Sequence, residues 1–214
     1  MIIDYSIFIG QFYVGLLVLW TLLIAFGYIF LKKDIFRLMR IVREPTMLAF
    51  ATASSESAYP KTMEALDKFG VPKRITSFVL PLGYSFNLDG SMMYMAFAVL
   101  FIAQAYNIDL SFSQQALILF TLMITSKGIA GVSRASIVVI ASTLAMFKLP
   151  EAGILLILAI DQFLDMGRTA TNVIGNSIAT AVIARTEGNK DELTEQEGIM
   201  VNNIPPVNQL ADNS

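Results

Sequence analysis

Asp161-Gln162-Phe163-Leu164-Asp165-Met166-Gly167-Arg168-Thr169-Ala170-Thr171-Asn172-Val173-Ile174-Gly175-Asn176 decides the reading of this chain. Asp161, Asp165, Arg168, Asn172 and Asn176 follow one another at steps of 4, 3, 4 and 4 residues, which puts all five on one face of a helix. Ile160, Phe163, Leu164, Ile174 and Ile178 fall on the opposite, apolar face. The segment around them, Ala152 to Ala184, is otherwise apolar and is expected to span a membrane. Charges inside a bilayer cost several kcal/mol on any scale, so they must face a cavity or one another. Interhelical pairing of Asp165 with Arg168 is the simpler alternative, but it leaves the asparagine ladder unexplained.

The rest of the chain agrees with a membrane setting. Of its 214 residues, 55% are hydrophobic and 15% are charged. The mean hydropathy is +0.63. Globular chains usually carry about 25% charge. There is no cysteine and no histidine, which removes disulfide scaffolds, thiolate nucleophiles, imidazole bases and most zinc or iron sites. No basic tract stands alone, so nothing points to nucleic acid.

Tyr5 to Leu31 is an uncharged run far longer than a signal-peptide core, and a spanning helix needs about 20 residues. Lys32, Lys33, Arg37, Arg40 and Arg43 follow it and put this end in the cytoplasm. The next stretch centres on Ser54-Ser55-Glu56-Ser57 and is too short and polar to cross twice. Lys61, Lys68, Lys73 and Arg74 stand on its far side, so both ends read as cytoplasmic. A re-entrant hairpin with a serine tip satisfies this; a cytoplasmic amphipathic loop is the alternative. Ile75 to Ile108 is the second span, with Pro81, Gly83 and Gly90 around Asn87-Leu88-Asp89. Breakers and polar residues there predict an unwound stretch whose free carbonyls hold a cation.

After a cation-free loop, Leu117 to Thr125 and Ser136 to Phe147 are apolar arms about Ser126 to Ser133, a second re-entrant hairpin entered from outside. Ser55 to Asp89 and Gly131 to Asp165 are both 34 residues apart. Equal spacing and opposite entry predict an inverted repeat. The expected fold is therefore an all-α membrane protein with about three transmembrane helices and two re-entrant hairpins. The expected division is 1–33 first span, 34–108 first hairpin and broken helix, 109–186 second hairpin and last span, and 187–214 a disordered cytoplasmic tail.

The residues also define a ligand. The planar fork of Arg168 suits a carboxylate, Asp165 suits an ammonium, and the hairpin tips suit a second carboxylate. A small acidic amino acid carries all three groups. Asn87, Asp89 and Ser91, beside carbonyls freed near Gly83 and Gly90, form an oxygen set suited to sodium, unless Asn87 and Asp89 only cap the broken helix.

Pro81-Leu82-Gly83 with Asn87-Leu88-Asp89-Gly90-Ser91, Ala130-Gly131-Val132, and Asp165-Met166-Gly167-Arg168-Thr169-Ala170-Thr171-Asn172 resemble the dicarboxylate/amino acid:cation symporter family, the glutamate-transporter fold. The resemblance runs over roughly residues 8 to 188. It implies symport of glutamate or aspartate with protons and/or sodium by alternating access, with no other cofactor, in a bacterial inner membrane. It implies that Arg168 binds the side-chain carboxylate and Asp165 the amine. Ser55, Ser91, Thr169, Asn172 and the backbone of Gly131 and Val132 would complete the pocket. Gly83, Asn87 and Asn172 would line one cation site, Ser85, Ser126 and Gly128 another, and Asp89 a third that needs a helix this chain lacks. The second hairpin would be the extracellular gate.

Members of the family have eight spans and form trimers, so this chain reads as their carboxyl-terminal transport core, expected not to transport alone. Three positions depart from the pattern. Asn176 stands where sodium-coupled members often have Asp, which favours proton coupling through Asp161, Asp165 or Glu56. Ala53 replaces a tip arginine of some members, and Ser133-Arg134, with Lys127 nearby, alters the gate. A proton-coupled C4-dicarboxylate carrier is the alternative, against which Asp165 argues. An intramembrane hydrolase using Asp89 and Asp165 is remote.

Overall fold

A computed structural model describes residues 2–127 and 135–202, and within them the side chains other than those of positions 2, 4, 135 and 189–202. Among the described residues there are helices and no strands. In chain order these are α1 (Ile2–Leu31), α2 (Asp34–Ile41), α3 (Arg43–Thr52), α4 (Ser55–Phe69), α5 (Lys73–Phe86), α6 (Asp89–Ala105), α7 (Phe112–Thr125) and α8 (Ala135–Met146). A 3₁₀ turn (Glu151–Gly153), α9 (Ile154–Leu158) and α10 (Asp161–Asn202) complete the chain.

Two stretches are long and apolar enough to cross a bilayer by length and composition, Tyr5–Leu31 and Lys73–Ala105. The segment 152–184 does not match that description: it is interrupted after α9, and α10, which starts at Asp161, carries the polar ladder. The backbone of α10 remains helical to Asn202, past the boundary expected at 186.

Helix α1 is apolar on its exposed faces as well as on its buried one. Phe8, Phe12 and Leu16, one turn apart, are buried against α6. Val14, Leu17, Val18, Leu22, Phe26 and Ile29 are exposed on its other faces. An outward apolar surface of this extent is what a lipid or protein partner covers.

Each turn has a local cause. Lys32 and Ala53 take left-handed φ of 50° and 48° and end α1 and α3. Ser54 then caps α4, its Oγ accepting from the Ser57 N–H at 3.4 Å. Gly70, at φ 105°, closes α4, and its N–H and that of Val71 reach the Leu66 carbonyl. A side chain at φ 105° would be strained, so glycine stands there.

Two apolar cores lie along α1. The first joins the start of α1 to α6, α7, α8 and α9 through Phe12, Tyr94, Ile102, Leu122 and Leu144. The second joins its end to α2, α4, α5 and α10 through Leu31, Leu38, Leu66, Leu80 and Ile178. Helix α10 packs on α1, α3, α4, α5 and α6, and its residues from Leu164 to Ile178 are buried apart from a half-buried Met166. A helix wrapped on all sides needs no lipid-facing stripe. Of the face expected to be apolar, only Phe163 is exposed at 58%, while Ile160, Leu164, Ile174 and Ile178 lie in the cores.

Candidate functional site

The polar ladder lies where the two cores meet. Trp20 of α1 marks the level, its indole N–H donating to Thr171 Oγ1 at 2.7 Å. Tyr13 donates to the Phe163 carbonyl at 2.7 Å. Trp20 is two-thirds of the way along a helix that spans about 45 Å at 1.5 Å per residue. The ladder is therefore well inside the bundle.

Helix α5 stops at Phe86, and Asn87 (φ −110°, ψ 71°) and Leu88 (φ −108°, ψ 59°) leave helical geometry before α6 starts at Asp89. This is the unwound stretch that the sequence predicts. No side chain of its own loop caps α6. Asn172, from α10, does so: its Oδ1 accepts from the N–H groups of Gly90 at 2.9 Å and Ser91 at 3.3 Å. The first N–H groups of any helix need such a partner. Gly90 permits the approach, because a Cβ there would run into the Arg168 carbonyl and Thr171.

Ser91 Oγ in turn accepts from Arg168 Nη1 at 2.8 Å and Asn172 Nδ2 at 2.9 Å. Arg168 Nη2 pairs with Asp165 Oδ1 at 2.7 Å, and both side chains are buried. Thr169 Oγ1 donates to the same carboxylate at 3.1 Å. The guanidinium carbon stands 6.0 Å from the Tyr94 ring centre, within the range of a cation–π contact. The Tyr94 hydroxyl donates to Asp161 Oδ1.

The structure thus gathers Ser91, Asp165, Arg168, Thr169 and Asn172 into one network. Ser55 is buried at the turn between α3 and α4. Ala49 and Ala58 on either side of that turn pack on Val173, the neighbour of Asn172. Gly128, Gly131 and Val132 lie outside the described residues.

The residues expected as cation ligands have the following partners among the described residues. Asn87 Nδ2 donates to Asn176 Oδ1 at 3.1 Å, and that oxygen packs over Gly83. The Asn172 oxygen is engaged by two N–H groups. Asn176 Nδ2 is buried without a hydrogen-bond partner. Ser85 is half-buried in the last turn of α5. Ser126 is buried with its hydroxyl on the Met123 carbonyl at 3.3 Å. The Asp89 carboxylate lies over Gly175. Among the described residues, no three His, Cys, Asp or Glu side chains come together as a metal site.

Gly175 is ten residues beyond Asp165 on α10, about 15 Å at the helical rise. Asp165 is ion-paired with Arg168. An aspartate pair sharing a proton needs close approach, which this separation does not provide.

Residues 1–186 match the profile of the sodium:dicarboxylate symporter family. The chain belongs to that family. A proton/sodium-glutamate symport protein of Bacillus caldotenax is 52% identical over 159 residues, 74% of this chain and 38% of the relative. A proton/glutamate-aspartate symporter of Escherichia coli (strain K12) is 51% identical over 150 residues, 70% of this chain and 34% of the relative. C4-dicarboxylate transport protein 1 of Mesorhizobium japonicum is 46% identical over 160 residues, 74% of this chain and 34% of the relative. The chain spans less than half the length of these relatives.

Sequence reasoning missed three participants. Tyr94 stands three residues after Ser91, and that step on α6 is the signal that it shares the face. Trp20 is the only tryptophan of the chain and lies inside an apolar span, where its N–H needs an acceptor. Thr171, between Ala170 and Asn172, carried no spacing signal.

Proposed function

We propose that this chain forms the substrate-binding core of a symporter that carries glutamate or aspartate with protons and/or sodium across a bacterial inner membrane. The observation that carries this reading is the buried Arg168–Asp165 pair at 2.7 Å. A fork of donors and an acceptor one turn apart are the complements of a carboxylate and an ammonium on one small molecule. An amino acid entering here would trade the internal pair for two pairs of its own, so neither charge need stay uncompensated at membrane depth. The names of the similar proteins support the substrate class.

The same reading makes α3–α4 and α7–α8 two re-entrant hairpins of an inverted repeat, the second acting as gate. The divisions 1–33, 34–108, 109–186 and 187–214 follow from it, with the last segment a cytoplasmic tail. Substrate is held by Ser55, Ser91, Gly131, Val132, Asp165, Arg168, Thr169 and Asn172. The full-length protein is a homotrimer, and the work is transport, not catalysis.

Separate sodium and proton gradients imposed on proteoliposomes of the full-length parent test this. Saturable aspartate or glutamate uptake driven by either gradient is the expected result, and no gradient-dependent uptake of either would sink the reading. A C4-dicarboxylate carrier is the second reading, since similar proteins include such carriers. Succinate transported in place of both amino acids would select it, and loss of amino-acid uptake on Asp165→Ser would exclude it.

A further inference from the structure

Lys127 follows α7, yet its side chain reaches back 41 residues to the end of α5. Its Nζ donates to the Phe86 carbonyl at 2.8 Å. Phe86 is the last residue of α5, where the final carbonyls have no partner within the helix and the dipole is negative. The Asn87 N–H takes the Gly83 carbonyl at 2.8 Å, which completes the last turn of α5. Asp89, at the start of α6, is also within electrostatic reach of Lys127. The ammonium thus sits on the carbonyl end of one half-helix.

The family resemblance implies a cation site at Ser85, Ser126 and Gly128, and Ser85 and Ser126 are the chain neighbours of Phe86 and Lys127. A lysine ammonium presents a compact positive charge to carbonyl oxygens as a small cation does. Being tethered, it needs no association from solution and no dehydration of a free ion.

We propose that Lys127 is a built-in substitute for a coupling cation at the carbonyl end of α5, so that this position takes no sodium while the lysine is there. The meaning for coupling rests on the transport reading above, but the binding consequence does not. Lys127 belongs to the α7 side and Phe86 to α5, so the same contact ties these two segments. A sodium ion would bridge them only while bound.

The test uses the purified full-length parent, melted in sodium chloride and in choline chloride at equal ionic strength. The variants are Lys127→Met, which removes the charge, and Lys127→Arg, which keeps it. Lys127→Met is expected to gain a saturable sodium-dependent rise in Tm of about 2 °C or more, beyond any response of the wild type and of Lys127→Arg. A sodium response equal in Lys127→Met and wild type, whether both flat or both rising, overturns the proposal. If Lys127→Met does not fold, Lys127→Gln carries the same comparison.

In proteoliposomes, sodium should stimulate aspartate uptake at least about fivefold more in the methionine variant than in the wild type. Absence of uptake in every protein would instead count against the transport reading, and the melting data would still decide the lysine's role.

Discussion

Between α5 and α6, Asn87 and Leu88 leave helical geometry completely. Between α9 and α10, Ala159 remains at φ −64°, ψ −28°, and the Ile160 N–H still reaches the Ile157 carbonyl at 3.0 Å. The first interruption therefore frees backbone groups, and the second only bends the chain. The partners differ accordingly. The first is met by Asn172 and Asn176 from α10 and by Lys127 from the far side of α7. The second is flanked by Ile157, Ile160 and Leu164 of an apolar core, with Asp161 and its Tyr94 bond as the polar contact there. The two interruptions thus do different jobs. One exposes ends that must be satisfied from elsewhere, and the other directs a helix into the middle of the bundle.

Three substitutions probe that difference. Arg168→Ala should do the most damage, because it leaves Asp165 buried as an uncompensated carboxylate and takes a donor from Ser91 beside the first break. The expected loss is about 3–5 kcal/mol in chemical denaturation of the full-length parent. A loss below about 1 kcal/mol would mean that the network at this break is not holding the bundle together.

Gly90→Ala comes next. Its Cβ would meet the Arg168 carbonyl and Thr171, and overpacking of this kind costs about 1–3 kcal/mol. An unchanged Tm would show that α6 can retreat from α10 without penalty, contrary to a tightly capped break.

Ala159→Gly, at the second break, should cost only about 1 kcal/mol, since the residue is exposed and helical and loses propensity alone. A larger loss than that of Gly90→Ala would reverse the comparison and make the bend the more constrained of the two.

Much of this was legible in the residues. The ladder from Asp161 to Asn176 repeats at helical steps, so its common face and its burial follow from spacing and the cost of charge in a bilayer. Pro81, Gly83 and Gly90 around Asn87 announced the break. The polar serines after Ala53 signalled a turn, and Ser54 caps α4 there. The bend at Ala159 was harder to read, because Ile157-Leu158-Ala159-Ile160 contains no glycine, proline or polar residue. Nothing in their order distinguishes a bend from a straight helix.

The contacts across the bundle were not legible either. The bonds from Asn87 to Asn176, from Asn172 to the start of α6, and from Lys127 to Phe86 join residues 89, 82 and 41 positions apart. The sequence by itself determined the helical class, the first break, the polar face of α10 and the charge types of the candidate pocket, because helical periodicity and the cost of burying charge are local rules. The tertiary structure alone decided which oxygens remain available. An amide or carbonyl is a ligand or a spent partner depending on what packs against it, and that depends on helices brought together from distant parts of the chain.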